Sequence, residues 1–487
     1  MFVMRMIAMR MFAMTRTVLF ACVLLLSGPA AVWAQVAAGP LSADLAAAPV
    51  ITLRECVDLA LESSPSLLIA HERQGIAGQE VTAAYGNFLP TVSLSRDWAK
   101  SERTDFDNAA YTHGMYPMVD SGGDTLWFAG SVPTGTYVDE TVRSASSSWS
   151  GAADLNLFQG FGKFSRLNAA KSKLRAAEAT LGYTRELVVE EVTTAYFNVL
   201  RYEKLLEVAV ETRDQAMGEL ERIETYFRLG SSAKSDVLQQ RVRVENTKLD
   251  VVVARNNVQK ARADLAYSMN RPLAESFQVD GAALQTDYAV EPVDSLYAEA
   301  LSQRLDLHSS AFTLEASRSD VTTASAGLYP SLSIFGRYSR NDNESPYKFG
   351  SQVSESILWG YSVNWNIFDR LQSWTGRKQA KANVRIAEYQ LEQARLNVQV
   401  EIRQLHGSLT EAALRAAVSH ETIVQSQEEL RLARERYRVG AGTTLDIISA
   451  QVNLANSRAM EVQAMCDFLI ARAKLDRAVG REYPDHE

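Results

Sequence analysis

The sequence has little of what enzymes use for chemistry. Six histidines (His71, His113, His308, His406, His420 and His486) are scattered over 487 residues, and none shows a metal-ligand spacing such as HExxH. The three cysteines, Cys22, Cys56 and Cys466, form no paired ligand set. There is no phosphate loop and no nucleophile elbow. These absences leave no candidate catalytic residue, cofactor or metal site. Basic residues are outnumbered by acidic ones, 50 to 58, which argues against nucleic-acid binding. Beyond the N-terminus no stretch reaches the ~18 apolar residues of a membrane helix, so any entry into a membrane must use β-strands. Proline is scarce, at 12 residues, and the alanine-rich, charge-laced remainder favours long helices.

The N-terminus reads as a secretory leader. Arg5, Arg10 and Arg16 precede an apolar run from Val18 to Leu26, and small residues lead to a cleavage site after Ala34, with Val32 two places earlier. The run is half the ~20 residues of a spanning anchor. A lipidation reading of Cys22 is disfavoured by the bulky Phe20 and by the apolar residues that follow. Removing the leader leaves 47 basic and 58 acidic residues, a charge of −11. Cys466 recurs with Val452, Ala459 and Ala473 every seven residues and reads as helix core. A disulfide between Cys56 and Cys466 stays open at this point.

The chain is written twice. Leu155-Asn156-Leu157-Phe158 matches Trp365-Asn366-Ile367-Phe368 at an offset of 210, as do Gly230 with Gly440 and Asp236 with Asp446. Upstream, Ala84 with Ala324 and Pro90 with Pro330 match at 240, so 30 extra residues lie between Pro90 and Leu155. That interval is rich in Ser, Gly, Thr and Asp and reads as a surface loop. The sequence divides into a leader (1–34), a linker (35–50), repeat one (51–272), a connector (273–293), repeat two (294–481) and a tail (482–487). Repeat one carries a long loop at 99–147 and a helical hairpin at 163–270; repeat two carries a loop at 341–356 and a hairpin at 373–479.

Val384, Leu391, Val398, Leu405 and Ala412 recur every seven residues, as do Leu174, Leu181, Val188, Ala195 and Tyr202. This period predicts helices packed side by side with a left-handed supercoil. No proline interrupts Phe164–Gly230 or Trp374–Gly440, so each helix can run ~65 residues, or ~100 Å. Shorter helices, including those at about 66–87 and 306–327, would stack end to end along them and give four columns per chain.

Around these helices the pattern switches to period two. Val92, Leu94 and Trp98 alternate with Ser93, Ser95 and Asp97; Trp149, Ala153, Leu155 and Leu157 with Ser148, Ser150, Asp154 and Asn156. Leu332, Ile334 and Tyr338 alternate with Ser331, Ser333 and Ser339; Trp359, Tyr361, Val363, Trp365 and Ile367 with Gly360, Ser362, Asn364 and Asn366. Strands of 9–11 residues suit a membrane barrel. Trp98, Trp149, Trp359 and Trp365 are candidate aromatic-belt residues, and Asp154, Asn156, Asn364 and Asn366 candidate lumen residues. Four strands cannot close a barrel, and an open edge is not viable in lipid. Two chains would supply eight strands around a filled interior, and three would supply twelve around an open one. The expected fold class is therefore an α+β membrane protein, mainly helical. The alternative is a periplasmic or surface coiled-coil protein, structural or adaptor, without a pore.

The repeated helix–strand–strand–helix order, with Arg228-Leu229-Gly230-Ser231 and Arg438-Val439-Gly440-Ala441-Gly442-Thr443 closing each long helix, resembles the TolC family of outer-membrane factors. The resemblance implies a homotrimer with a twelve-stranded barrel in outer-membrane lipid and a twelve-helix periplasmic tunnel. It implies partners as well, a periplasmic adaptor and an inner-membrane pump, and makes the loops of the strands extracellular. By position, Arg228, Leu229, Gly230, Ser231, Asp236, Arg438, Val439, Gly440, Thr443 and Asp446 become candidate adaptor-docking residues. Relatives narrow the tip with acidic residues, whereas here Glu428, Arg431, Arg434 and Glu435 mix both signs. They are expected either to pair between helices and hold the tip shut or to form a solvated charged face.

Overall fold

A computed structural model describes residues 50–272, 278–280, 289–344 and 351–481. The leader, all of the linker but Val50, most of the connector and the tail lie outside the described residues. The chain divides into two units: residues 1–50 with 276–278, of which Val50 and Gln278 are described, and residues 51–275 with 279–487. Every element below belongs to the second.

Repeat one runs α1 (Leu53–Ser63), α2 (Pro65–Gly86), β1 (Thr91–Val119), β2 (Thr125–Gln159), α3 (Gly162–Arg228) and α4 (Lys234–Ser268). Repeat two runs α5 (Val293–Gln303), α6 (Leu305–Ser325), a 3-10 turn (Ala326–Leu328), β3 (Ser331–Glu344), β4 (Ser351–Asn364), α7 (Gln372–Arg438) and α8 (Thr444–Val479). α1 and α5 were not expected as separate helices. The local signals of α1 are the Thr52/Glu55 capping box, with its N–H···O contacts of 2.9 and 3.3 Å, and the extended Ser64 that Pro65 imposes.

α3 and α7 are both 67 residues long, about 100 Å at 1.5 Å per residue. Each starts from two successive left-handed residues, Gly160 and Phe161 in repeat one and Arg370 and Leu371 in repeat two. The twofold repeat thus extends to backbone conformation. At Gly160 a Cβ would come within 2.6 Å of the Ala326 carbonyl oxygen, so only glycine fits.

α3 touches α2 and α6 in its half near the sheet, and α4 and α8 in its far half; α7 touches α6 and then α8. The helices therefore form four columns in the order α2/α4, α3, α6/α8, α7, as the short helices' stacking predicts. The seven-residue stripes point inward at Val188, Val398 and Ala412, which are buried, and a neighbouring stripe on α7 buries Ile402, Leu409 and Leu430. A core of Leu296, Leu307, Val398, Ile402, Phe468 and Leu475 joins α5 to α8, and a second of Leu430, Ala433, Ile447, Ala450 and Leu454 seals the far end of the α7–α8 hairpin. Cys56 and Cys466 are buried free thiols, so no disulfide joins them.

The four strands form one antiparallel sheet in the order β1-β2-β3-β4. Two expectations are corrected here. The segments expected as loops, 99–147 and 341–356, are largely strand: β1 and β2 stay paired up to Val119 and Thr125, and β3 and β4 cover 341–344 and 351–356. Ladder bonds need no apolar alternation, and polar cross-strand pairs hold this part. Ser101 and Ser144 hydroxyls lie 2.7 Å apart, Thr104 and Thr141 3.1 Å, and Arg143 meets Glu102 at 2.9 Å. Second, β4 ends at Asn364, because its ladder partner among the described residues, β3, begins at Ser331. Trp365 and Asn366 lie past the strand, and the Trp365 indole instead donates to the Leu328 carbonyl at 3.3 Å.

Candidate functional site

The register carries one apolar face across all four strands. Val92 lies opposite Ala153, Ala153 opposite Gly336 and Gly336 opposite Trp359; the next row is Leu94, Gly151, Tyr338, Ile357. The rows towards the helices are Leu155, Ile334, Tyr361 and Phe158, Leu332, Val363. The opposite face is polar and laced by hydroxyl pairs: Ser95 with Ser150 at 2.7 Å, Ser333 with Ser362 and Ser339 with Ser356, both at 2.8 Å. Such rungs satisfy hydroxyls on a face that meets water.

Of the candidate lumen residues, Asp154 and Asn364 are exposed on the polar face, opposite Thr91 and Ser331. Asn156 is on that face too, but its side-chain oxygen is buried and its carbonyl accepts the Lys163 ammonium, which places it at the sheet–helix junction. Asn366 is off the strand and is withdrawn from the lumen set. Phe335 was missed: it breaks the polar alternation, lying opposite Gly360 with the Arg337 guanidinium 5.2 Å from its ring centre. Trp98, Trp149 and Trp359 share the apolar face, with the Arg96 guanidinium 4.9 Å over Trp149. Trp359 lies in the row of Val92, so the register does not bring the three into one row, and Trp365 is not on the sheet.

At the far end both long helices stop alike. Gly230 (φ 79°) and Gly440 (φ 74°) are left-handed, and the N–H groups of Ser231 and Ala441 reach back to the carbonyls of Tyr226 and Arg436, both at 2.9 Å. This six-to-one closure satisfies the last carbonyls of each helix. Thr443 and Asp446 cap α8 reciprocally, the Thr443 N–H donating to Asp446 Oδ2 at 2.8 Å; these bonds hold the Asp446 carboxyl below its ordinary range. Asp236 accepts from the Ala233 N–H at 3.3 Å and the Ser232 hydroxyl at 3.1 Å. Both aspartates thus serve the turns. Arg228, Leu229, Gly230 and Ser231 with Arg438, Val439, Gly440 and Thr443 form the exposed surface.

The two arms of the gate expectation divide between the residues. Glu428 pairs with Arg431 at 2.7 Å and Glu435 with Arg438 at 2.8 Å, each within one helix turn and exposed. Arg431's hydrogen bond holds the Glu428 carboxyl below its usual range. Only Arg434 crosses between helices, and its partner is Glu219 of α3, at 3.1 Å. Glu219 is 1% exposed and also meets Arg222 at 3.2 Å. Glu221 and Glu224 follow it in the sequence, and nothing in that run marks Glu219 as the buried one. Nearby, the Ser232 and Tyr437 hydroxyls join the two tips at 2.9 Å.

The two hairpins are apolar inside but joined to each other by charge. From the sheet outward α3 presents Glu190 to Arg477 (2.6 Å), Arg201 to Asp467 (2.6 Å), Glu211 to Arg458 (2.6 Å) and Glu219 to Arg434 (3.1 Å). At the sheet-proximal end Arg304, 4% exposed, grips Asp306 at 2.8 Å, Glu401 at 2.7 Å and the Ala478 carbonyl at 2.9 Å. Arg477 shares Glu401 at 2.8 Å. Both partners are well buried in the Glu190–Arg477 pair, whereas in the most distal pair Glu219 is buried and Arg434 is a third exposed.

Both flanks of the molecule are unfinished. β1 and β4 are open sheet edges. On the β1 side, Leu238, Val242, Leu249 and Val253 of α4 are exposed; on the β4 side, Leu396, Val400, Leu414 and Val418 of α7 are exposed. Each stripe has coiled-coil spacing. Among the described residues no helix is long and apolar enough to cross a membrane, and no group of His, Cys, Asp or Glu is placed to hold a metal.

A sheet with one face apolar across its full width, continued by two 67-residue helices, defines a class: membrane channel chains that insert by strands and extend by helices. The chain belongs to the outer membrane efflux protein family, whose profile matches residues 56–271 and 296–481, once per repeat. It is similar to the outer membrane protein TolC of Vibrio cholerae, 22% identical over 88% of this chain and 90% of that protein. It also resembles the cation efflux system protein CusC of Escherichia coli, 24% identical over 79% of this chain and 80% of that protein. Its fold matches the solved outer membrane protein VceC of Vibrio cholerae with a TM-score of 0.70 at 18% identity, covering 88% and 96% of the two chains. The chain is therefore an outer-membrane protein of a channel family, and the pore-free coiled-coil alternative is set aside.

Proposed function

We propose that three copies of this chain close head-to-tail into a passive exit duct, a twelve-stranded barrel continued by a twelve-helix tunnel into the periplasm. One observation carries this reading: the sheet and the helical layer are open on the same two flanks, and each flank bears an uncovered apolar stripe. Joining β4 and α7 of one copy to β1 and α4 of the next pairs the strand edges and buries both stripes. Lipid requires that every edge be paired, and an eight-stranded ring of two copies would be filled by its own side chains.

The turns at Gly230 and Gly440 are the docking tips for a periplasmic adaptor that links the duct to an inner-membrane pump. Exposed Leu229 and Val439 beside Arg228 and Arg438 offer an apolar contact ringed by positive charge. The Glu219–Arg434 and Ser232–Tyr437 contacts hold the tips together at rest, and separating the hairpins opens the duct. No residue is assigned a catalytic role.

The test is the mass and conductance of the full chain purified from outer membranes. The reading expects a three-copy particle that inserts into planar bilayers and conducts ions. A monodisperse single chain without conductance refutes it.

A further inference from the structure

The 30 residues that repeat one has beyond repeat two are built into a ribbon that the duct reading leaves unused. The last β2–β3 pair is Ala145 with Glu344, yet β1 and β2 remain paired out to Val119 with Thr125. Two breaks of register, between Asp105 and Asn108 and between Ala109 and Tyr111, interrupt this free part. Bulges of this kind bend a ribbon and re-aim what lies beyond. Past them the ribbon turns apolar on both faces. One face pairs Tyr116 with Phe128 and Met118 with Leu126; the other pairs Pro117 with Trp127 and carries Met115 and Val119. Met115, Met118, Val119, Leu126, Trp127 and Phe128 are all exposed. From Thr112 to Thr134 there is no lysine or arginine. The two acidic residues, Asp120 and Asp124, form the turn, where Asp120 Oδ1 accepts the N–H groups of Gly122 and Asp124 at 2.8 and 3.0 Å.

We infer that the three ribbon tips of one ring fold over the outer mouth of the barrel and pack against each other, so that each tip is covered by the same tip of the other two copies. This rests on the three-copy ring proposed above. The geometry permits it. Twelve strands spaced ~4.8 Å and tilted ~40° enclose a radius of roughly 12–15 Å. The arm beyond the bulges, about eight residues at ~3.3 Å each, is ~27 Å long and reaches the axis. The chemistry selects this occupant over others. A flat surface would cover one face of the tip, whereas two identical neighbours cover both. Without lysine or arginine the tip lacks the charge pairing by which the phosphates of the surrounding glycolipids are held. Side-by-side contact leaves the aspartates of the three turns pointing to water, where their like charges are tolerated. The ribbons thus close the outer end with an apolar plug.

The test uses the two buried native thiols as a silent background. Trp127→Cys or, on the other face, Met118→Cys is placed in the full chain, with Thr141→Cys on the ribbon stem as control, and each purified assembly is weighed first. A three-copy mass in every variant establishes the ring independently of the tip. The plug then expects the Cys at 127 or 118 to react at least tenfold more slowly than the one at 141 with a bulky hydrophilic maleimide, and an oxidant to link two of the three chains through it. Equal labelling rates without cross-linking in intact rings overturn the inference. Slow labelling that appears only when glycolipid is added back assigns the tip to lipid and overturns it equally.

Discussion

Replacing Glu219 by Gln keeps the side chain's size and removes its charge. In the structure this carboxylate is 1% exposed and lies 3.1 Å from Arg434 and 3.2 Å from Arg222. Losing a fully buried ion-pair partner costs about 3–5 kcal/mol. Arg434 is 33% exposed and regains water when freed, so ~1–2 kcal/mol per copy is the appropriate figure. In the gating proposed above only the closed state makes the α3–α7 contact, so this energy would be subtracted from closure. If the three copies of a ring open together, closure loses ~3–6 kcal/mol, and with tenfold per ~1.4 kcal/mol the open population rises by roughly 10²–10⁴. The assay is open probability of reconstituted channels in planar bilayers, with Arg431→Gln as comparison. Arg431 pairs only within its own helix, so it should leave gating unchanged. Unchanged open probability in Glu219→Gln, or an equal effect in Arg431→Gln, would refute the assignment of the cross-hairpin pair as the gate.

Arg304→Met strands two carboxylates and the Ala478 carbonyl. It should lower stability by ~3 kcal/mol, read as a fall in melting temperature, and Arg304→Lys should recover only part because it cannot bond both carboxylates. Gly440→Pro or Gly230→Trp should abolish export while leaving assembled rings; full export from both variants would remove the turns from docking. Hydrogen bonds from Arg481 hold the Glu291 and Glu299 carboxyls below their ordinary value of 4.5. A depressed carboxyl adds stability above its unfolded pKa and loses it as pH falls through the folded one. Melting temperature should therefore drop below about pH 4.5 and do so less in Arg481→Gln. Burial raises the Asp476 carboxyl and contributes with opposite sign, so Asp476→Asn should steepen the acid loss.

The long helices, the four columns and the amphipathic strands were legible because each rests on a period: seven for Leu391-Val398-Leu405, two for Trp359-Tyr361-Val363. Positions without a period were not. The stem of the ribbon, with its Ser101–Ser144 and Thr104–Thr141 pairs, is rich in polar residues and reads as loop by composition, although it is strand and its ladder runs on, with two breaks of register, to Val119 and Thr125. β4 was carried to Ile367 because the alternation continues there, whereas a strand ends where its neighbour ends. Among the charged residues near the tip, the mixed signs of Glu428, Arg431, Arg434 and Glu435 leave pairing between helices and a solvated face equally open. Spacing could not show that Arg434 reaches Glu219, 215 residues away.

The central claim is that the two open flanks of this chain complete each other. Cysteines placed at Val92 on β1 and Val363 on β4, both on the apolar face and each on an open edge, give its most direct measurement. On oxidation of outer membranes the singly substituted chains should stay separate. Mixed singly substituted chains should link into dimers only, and doubly substituted chains into dimers and trimers and no further. A doubly substituted chain that links only to itself, or ladders that run on past three copies, would contradict the closed ring.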